Sequence, residues 1–404
     1  MNEVYRKEQR PCGIHCYRTS PVLVNNLLAS ILLLLAVPCS HAFVANVPLL
    51  AACATTVTRS GISGVKPPDH DRSSVRFNNV VLTRTTMGAE VVVVGSCNTD
   101  LVAYTSRLPN KAGETVTGSR SETLHGGKGA NQAVMASRMG AKVAMVACLG
   151  QENLGDRSLE NLANYGIDCA SVRRTPEAAT GVAQLCVEDS GANFIVVVPG
   201  ANYHLSPEDV VAAGAKLKGS KVMVCQGEMR AETTLAALEL GRAEGMITLF
   251  NPAPAVKDLP DRFLEVSDVV VPNETELTLM CQATDVDPER DESVCAGARE
   301  LIERGAKEVV VTLGSRGCML VSSAAGATSE SFKLFPAEKL SAIDTVGAGD
   351  AFMGSLAAYL AKGQALEEAI PKAVRVASIS VTRAGAQPSY PDSSELPPDL
   401  KLPS

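Results

Sequence analysis

Histidine is scarce in this 404-residue chain: there are five, and only His125 and His204 fall after residue 88, which excludes a histidine-rich metal centre there. Cysteine is present but unorganised. Eight of the twelve Cys lie after residue 88 without CxxC spacing, several inside apolar runs such as VACLG and QLCVE, so they read as small core residues in a reducing compartment. Cys12 and Cys16 flank His15, but in a leader segment where a zinc site is not expected. No GxxxxGK[ST] occurs, which excludes a Walker loop, and GAGDAFMG does not meet the GxGxxG dinucleotide spacing. Positive charge is also missing where nucleic acid would need it. Residues 1–88 hold nine Lys/Arg against four Asp/Glu, so with a total of −7 the remainder carries about −12, and no nucleic-acid partner is expected.

The first 88 residues differ from the rest. A stretch with Arg6, Lys7, Arg10 and Arg18 precedes the apolar LLASILLLLAV (Leu27 to Val37), too short for a membrane span, and PCSHA then gives a small-residue cleavage site before Phe43. An Ala/Ser/Thr-rich stretch follows. Signal plus transit-like segment resembles the two-part plastid address of algae with complex plastids; the expectation is a soluble plastid protein whose mature form has no membrane role. If the leader is not used, Met87 directly precedes GAEVVVVG and a cytoplasmic and nuclear location is the alternative.

From Glu90 onward apolar β runs (EVVVVG, KVAMVACLG, KVMVCQ, MITLFN, DVVVPN, KEVVVTLG) alternate with helical patterns (GANQAVMASRMG, GDRSLENLANYG, TTLAALELGRAEG). That alternation predicts an α/β fold, a doubly wound, mostly parallel sheet with helices on both faces. Two stretches break it, at about 98–125 and 180–199, where β character continues without a helix. They predict a small β-strand lid over the strand C-termini. The expected division is a leader over 1–88, one domain over 89–398 and a tail over 399–404.

Polar or glycine residues cluster where strands end, which is where such a sheet assembles a site. GSCNTD carries Asn98, Thr99 and Asp100; HGGKGANQA carries Gly127, Lys128, Gly129, Ala130 and Asn131; CQGEM carries Glu228. PNETE places Asn273 and Glu276 at a strand-to-helix junction, where they can also form a capping box, and TLGSRG (Thr312, Leu313, Gly314, Ser315, Arg316, Gly317) can be a hairpin connection. The last cluster is DTVGAGDAFMGS, an extended piece, a glycine turn and a helix start. Gly347, Ala348 and Gly349 would expose unpaired helix N–H groups to an anion, and Asp350 beside them suits a general base acting on a hydroxyl.

In their order, GSCNTD, GGKGANQA, PNETE, TLGSRG, DTVGAGDAF and VTRAGAQPS resemble the ribokinases, a branch of the PfkB-type carbohydrate kinases, over Glu90 to Ser389. The resemblance implies a ribokinase-like fold and transfer of the γ-phosphate of ATP to the 5-hydroxyl of D-ribose. Ribose would be held by Asn98, Thr99, Asp100, Gly127 to Asn131 and Glu228, with Asp350 as base. Gly347, Ala348 and Gly349 would form the anion hole. ATP would meet Asn273, Thr312 to Gly317, Gly349 and Asp350, and Glu276 lies in the motif associated with Mg2+. K+ would be held by Asp344 and Val346 on one side and Ser380, Arg383, Gly385 and Ser389 on the other. Val374 stands near where ribokinases often present a His to adenine, a departure from the pattern. The resemblance also implies a homodimer through the lid. The alternatives are a kinase of the same family for another sugar or a nucleoside, and a non-catalytic sugar-binding protein on the same scaffold.

Overall fold

The computed structural model describes residues 88–323 and 332–403; the leader with its targeting signals, the Cys12–His15–Cys16 cluster and Met87 lie outside them. The strands are β1 (Val91–Val94), β2 (Asn98–Thr105), β3 (Arg120–Gly126), β4 (Val143–Gly150), β5 (Asp168–Thr175), β6 (Gly181–Glu188), β7 (Asn193–Val198), β8 (Val222–Gln226), β9 (Ile247–Asn251), β10 (Val269–Val270), β11 (Glu308–Thr312), β12 (Cys318–Ser322) and β13 (Lys333–Phe335). The helices are α1 (Lys128–Arg138), α2 (Asn153–Asn164), α3 (Pro207–Leu217), α4 (Ala231–Ala243), α5 (Arg262–Glu265), α6 (Glu274–Met280), α7 (Asp291–Glu303), α8 (Ala348–Ala361) and α9 (Leu366–Ser380). Among the described residues, no helix is long and apolar enough to cross a membrane.

The main sheet has the order β13-β12-β11-β10-β9-β8-β1-β4-β5, parallel except where β12 and β13 close one edge antiparallel. It is the mostly parallel α/β sheet expected from the alternating pattern. Side chains of successive strand residues point to opposite faces, and β1 shows it: Val91 and Val93 join a core with α1, α2, α8 and α9, while Val92 and Val94 join a second core with α3 to α7. Because both faces are covered, β1 can be four consecutive valines. Chain order runs outward from β1 through β4 to β5 on one side and from β8 through β11 on the other. The order therefore reverses between β1 and β8, and ligands of open α/β sheets bind beyond the strand ends at such a reversal.

The second sheet, ordered β3-β2-β6-β7, grows out of that point. β2 follows β1 after only Gly95, Ser96 and Cys97, and β3 leads through Gly127 straight into α1. Asn98 thereby pairs with Gly126 on one side and Gly181 on the other.

Candidate active site

Asp350 sits in the first turn of α8 and is buried, with only 7% of its surface exposed. Its carboxylate is held from both sides. Asn131 Nδ2 donates to Oδ2 and Gln132 Nε2 donates to Oδ1, each at 2.9 Å. Both donors come from the start of α1, which carries the Gly-Lys-Gly-Ala-Asn-Gln run, so the two segments widely separated in sequence meet at one carboxyl group.

The helix start beside it is open to an anion. Gly347 adopts φ +78°, and a Cβ there would lie 2.7 Å from the Ala386 Cβ and 2.8 Å from the Tyr390 hydroxyl, so only glycine fits this turn. Tyr390 Oη donates to the Gly347 carbonyl at 3.1 Å and fixes it further. Gly349 is the opposite case, since nothing lies within 4 Å of its Cβ position and its backbone can be approached closely. Of the expected N–H donors, that of Ala348 is turned to the Thr345 carbonyl at 3.2 Å, and the helical ladder begins with Ala351 donating to Gly347 at 2.8 Å. The amides of Gly349 and Asp350 lie between them, where a helix leaves its N–H groups without intrahelical acceptors.

Around Asp350 stand further charges. Burial first, then the neighbouring carboxylates of Glu228 and Asp350, push the Asp100 carboxyl up to about 6. Burial works against the Lys128 ammonium, but Asp350, Glu228 and Glu276 outweigh it and hold its pKa above the usual value. Glu276 is raised by burial and by Asp350, with the Asn273 amide and Lys128 opposing. Lys128 thus lies within electrostatic reach of Glu228, Glu276 and Asp350, and Asp100 within reach of Glu228 and Asp350. Glu228 also accepts from the Lys128 amide at 2.9 Å and from the Ser96 hydroxyl, which ties the end of β8 to the start of α1. Asn98 and Thr99 are buried at the start of β2, with Asn202 Nδ2 donating to Asn98 Oδ1 at 2.7 Å. Gly127 and Gly129 let the α1 start pass within touching distance of the link from β1 to β2: Cβ atoms there would fall 2.6 Å from the amide nitrogens of Asn98 and Ser96 respectively.

Asn273 and Glu276 form a capping box at α6, the Asn273 amide donating to Glu276 Oε2 at 2.8 Å and the Glu276 amide to Asn273 Oδ1 at 2.7 Å. Thr312 to Gly317 join β11 to β12 as a tight hairpin connection. Within it Gly314 and Ser315 are exposed, whereas Leu313 is buried and the Arg316 guanidinium is bound to Asp291 at 2.9 Å and to the Pro288 carbonyl. Gly317 packs on β13, with its Cβ position 2.0 Å from the Phe335 carbonyl oxygen. Val374 is buried in α9 against the α8 side of the core.

The two segments expected to hold a monovalent cation lie against each other. The Ile343 and Asp344 amides donate to the Val381 carbonyl at 2.8 and 3.2 Å, and Asp344 takes the Gly385 amide at 2.8 Å and the Val346 amide at 3.0 Å. The Arg383 side chain turns away to Glu395, and the Ser380 and Ser389 hydroxyls donate to nearby carbonyls. Asp344 thus stands between the two segments with one oxygen accepting from each, and a carboxylate is the hard oxygen donor that a hard cation takes. Among the described residues, no cluster of three or more His, Cys, Asp or Glu could hold a metal by protein groups alone.

Several polar groups of the site were not singled out in the sequence: Gln132 and Gln387, although they lie inside GGKGANQA and VTRAGAQPS, and Gln226, Asn161 and Asn202. Their common feature is burial, complete or partial, which the sequence alone does not display.

A buried carboxylate beside an open helix start, at the order reversal of a doubly wound sheet, defines a class of enzyme that moves a phosphoryl group onto a hydroxyl. Comparison with known proteins agrees. The family model described as pfkB family carbohydrate kinase matches residues 89–393. Ribokinase of Mus musculus is 43% identical over 311 residues, 76% of this chain and 94% of its own, and a deoxyribokinase of Salmonella typhi is 37% identical over 78% and 99%. The structure of Arabidopsis thaliana ribokinase complexed with ribose and ATP superposes with a TM-score of 0.69 at 29% identity, covering 78% of this chain and 100% of that one. The chain belongs to the pfkB family of carbohydrate kinases, and it is an ATP-dependent sugar kinase.

Proposed function

We propose that the protein transfers the γ-phosphoryl group of ATP to the 5-hydroxyl of D-ribose, giving ribose 5-phosphate and ADP. The observation that carries this is the placement of Asp350, gripped on both oxygens and standing next to the open amides of α8. Asp350 takes the hydroxyl proton as that oxygen attacks phosphorus, and the Gly349 and Asp350 amides stabilise charge on the transferring group. Asn98, Asp100, Lys128, Asn131 and Glu228 hold the sugar, and Lys128, kept cationic by its carboxylate neighbours, orients its hydroxyls. Gly314 and Ser315 offer the exposed backbone against which the nucleotide rests. Magnesium, when bound, neutralises phosphate charge; the protein offers Glu276 nearby, and such ions are held largely by the phosphates themselves. Potassium would be held by the Asp344 carboxylate and the carbonyls of the 346 and 380–389 segments, stiffening the turn that ends at Gly347.

A second reading, 2-deoxyribose as acceptor, is favoured by the relative that is a deoxyribokinase. A coupled ADP assay with D-ribose, 2-deoxy-D-ribose, D-fructose and adenosine, in K+ and then in Na+, decides between them. Preference for ribose and a higher rate in K+ are expected; preference for any other acceptor overturns the substrate assignment. The leader supports plastid import, which a fluorescent fusion of residues 1–88 tests by where it accumulates.

A further inference from the structure

Asp350 is the meeting point of two chains of side-chain amides. In one, Gln226 Nε2 donates to Gln132 Oε1 at 2.7 Å, and Gln132 Nε2 donates to Asp350 Oδ1 at 2.9 Å. In the other, Asn161 Nδ2 donates to Gln387 Oε1 at 2.9 Å, Gln387 Nε2 to Asn131 Oδ1 at 3.0 Å, and Asn131 Nδ2 to Asp350 Oδ2 at 2.9 Å. Gln132, Gln226 and Gln387 are at most 2% exposed, so water does not compete for these bonds.

The direction of both chains follows from the carboxylate. An ionised carboxylate only accepts, so Asn131 and Gln132 must turn their NH2 groups toward it. Their oxygens then point outward and require donors, which Gln387 and Gln226 supply, and the Gln387 oxygen in turn requires the Asn161 NH2. Every amide dipole therefore points its positive end at Asp350, and a chain of hydrogen bonds aligned in this way strengthens each member. These two bonds use one acceptor position on each Asp350 oxygen and leave the other lone pairs for the hydroxyl proton that the base takes up.

We infer that Gln132 and Gln387 are positioning residues for phosphoryl transfer, which fix the rotation of the Asp350 carboxylate and hold it as an acceptor. Gln387 does so from the segment between Gly385 and Ser389, so it mechanically links the candidate monovalent-cation loop to Asn131 and the reacting carboxylate. This rests on the assignment of Asp350 as the base. Neither glutamine touches the transferring atoms.

The charged and titratable groups that bear on Asp350 are Lys128 from α1, Asp100 from β2, Glu276 from α6 and Tyr390 from the C-terminal segment; all stay in place when an amide is changed. Removing a hydrogen-bond donor from an anion raises its pKa. The test is the pH profile of kcat/KM for ribose in the full chain, with Gln132→Leu and Gln387→Leu beside the wild type. For Gln132→Leu the expected outcome is a kcat lower by about tenfold, as for loss of one charge-assisted bond, ribose KM within about threefold, and an acid limb displaced upward by about one pH unit. Gln387→Leu should move the limb in the same direction by less and shrink the rate ratio between K+ and Na+. Carbon-13 NMR of the Asp350 carboxyl gives its titration midpoint without any turnover, so the relay stays testable even if the wild type fails to phosphorylate ribose. If a leucine variant does not fold, Gln132→Glu preserves shape while removing the donor, and its midpoint should rise further. Folded variants with lower kcat but an unmoved acid limb and an unmoved midpoint overturn the inference.

Discussion

The molecule contains two valine-rich strands with opposite fates. In β1 the run Val91–Val94 is wholly buried, each residue at 0% exposure, whereas in β7 Phe194 to Val198 are between 45% and 63% exposed. Composition cannot distinguish them, because both are short apolar runs bounded by turn residues. Position does. β1 lies in the middle of a sheet covered by helices on both faces, while β7 is the edge strand of the four-stranded sheet and is exposed along its whole length. The difference separates two tasks: β1 holds the fold together, and β7 is apolar surface with an unpaired edge, which calls for a partner. The homodimer through the lid that the family resemblance implies would cover it with the second sheet of another copy of the chain.

The same substitution in the two strands should therefore have unequal consequences. Val93→Asp places a carboxylate in the larger core, where it has no partner, and should cost about 5 kcal/mol or more, leaving little folded protein. Val196→Asp should leave the thermal transition of the isolated chain nearly unchanged but convert a dimer to a monomer, read by light scattering at micromolar concentration. A wild type that is already monomeric there, or a β7 variant that unfolds, contradicts the comparison.

Next in size is Asp350→Asn, in the first turn of α8. An asparagine presents an NH2 to one of two positions that already face NH2 donors, Asn131 or Gln132, so it loses both basicity and one of its grips. The expected loss in kcat is about 10²- to 10⁴-fold, or roughly 3–5 kcal/mol of transition-state stabilisation, with ribose KM changed only a few-fold. Near-normal turnover would remove the base assignment.

The doubly wound sheet was legible in sequence because strand and helix periods differ and each segment kept its own. The glycine turn before Asp350 was legible for a related reason: bare backbone and a lone acid at a helix start combine in few chemically sensible ways. The amides were not. Gln132 lies in GGKGANQA, Gln226 at the end of KVMVCQ and Gln387 in VTRAGAQPS, yet nothing in those strings says that they are buried or which partners satisfy them, since those partners lie 94 to 256 positions away. Nor could it be read what covers FIVVV, because an apolar run reports affinity for a cover and not whether the cover belongs to the same chain. Asn273 and Glu276 admitted a capping role and a nucleotide-site role in sequence, and the capping box occupies only one Glu276 oxygen in the structure.

Where the second sheet leaves the first, Gly127 takes φ +86° with a Cβ position 2.6 Å from the Asn98 amide and 2.9 Å from the Cys97 Cα. Gly127→Ala collides with backbone that cannot yield as a side-chain tip does, and adds the strain of a left-handed alanine. The expected loss of stability is about 2–3 kcal/mol, seen as a lower denaturation midpoint, together with a raised ribose KM as β2 and α1 are forced apart. An unchanged midpoint would show that the junction is looser than the contact distances imply.

The smallest effect is the most discriminating, because it concerns a residue of the second sheet held at a cost. Burial first, then the charges of Glu228 and Asp350, disfavour the ionised Asp100 carboxyl and push its pKa from the ordinary 3.8 up to about 6. Since the folded state binds this proton more tightly than the unfolded chain, the associated stability is fully present below pH 4 and is lost as pH rises through 6. Asp100→Asn removes that liability. It should raise the melting temperature at pH 8 by an amount corresponding to on the order of 2 kcal/mol, with the gain shrinking toward zero at pH 4. The same variant should bind ribose less well, because an acceptor of sugar hydroxyls has become half donor. A gain in stability joined to a loss of affinity would mark Asp100 as a carboxylate retained for its ligand; an equal melting shift at both pH values would mean that its burial, and not its charge, sets its contribution.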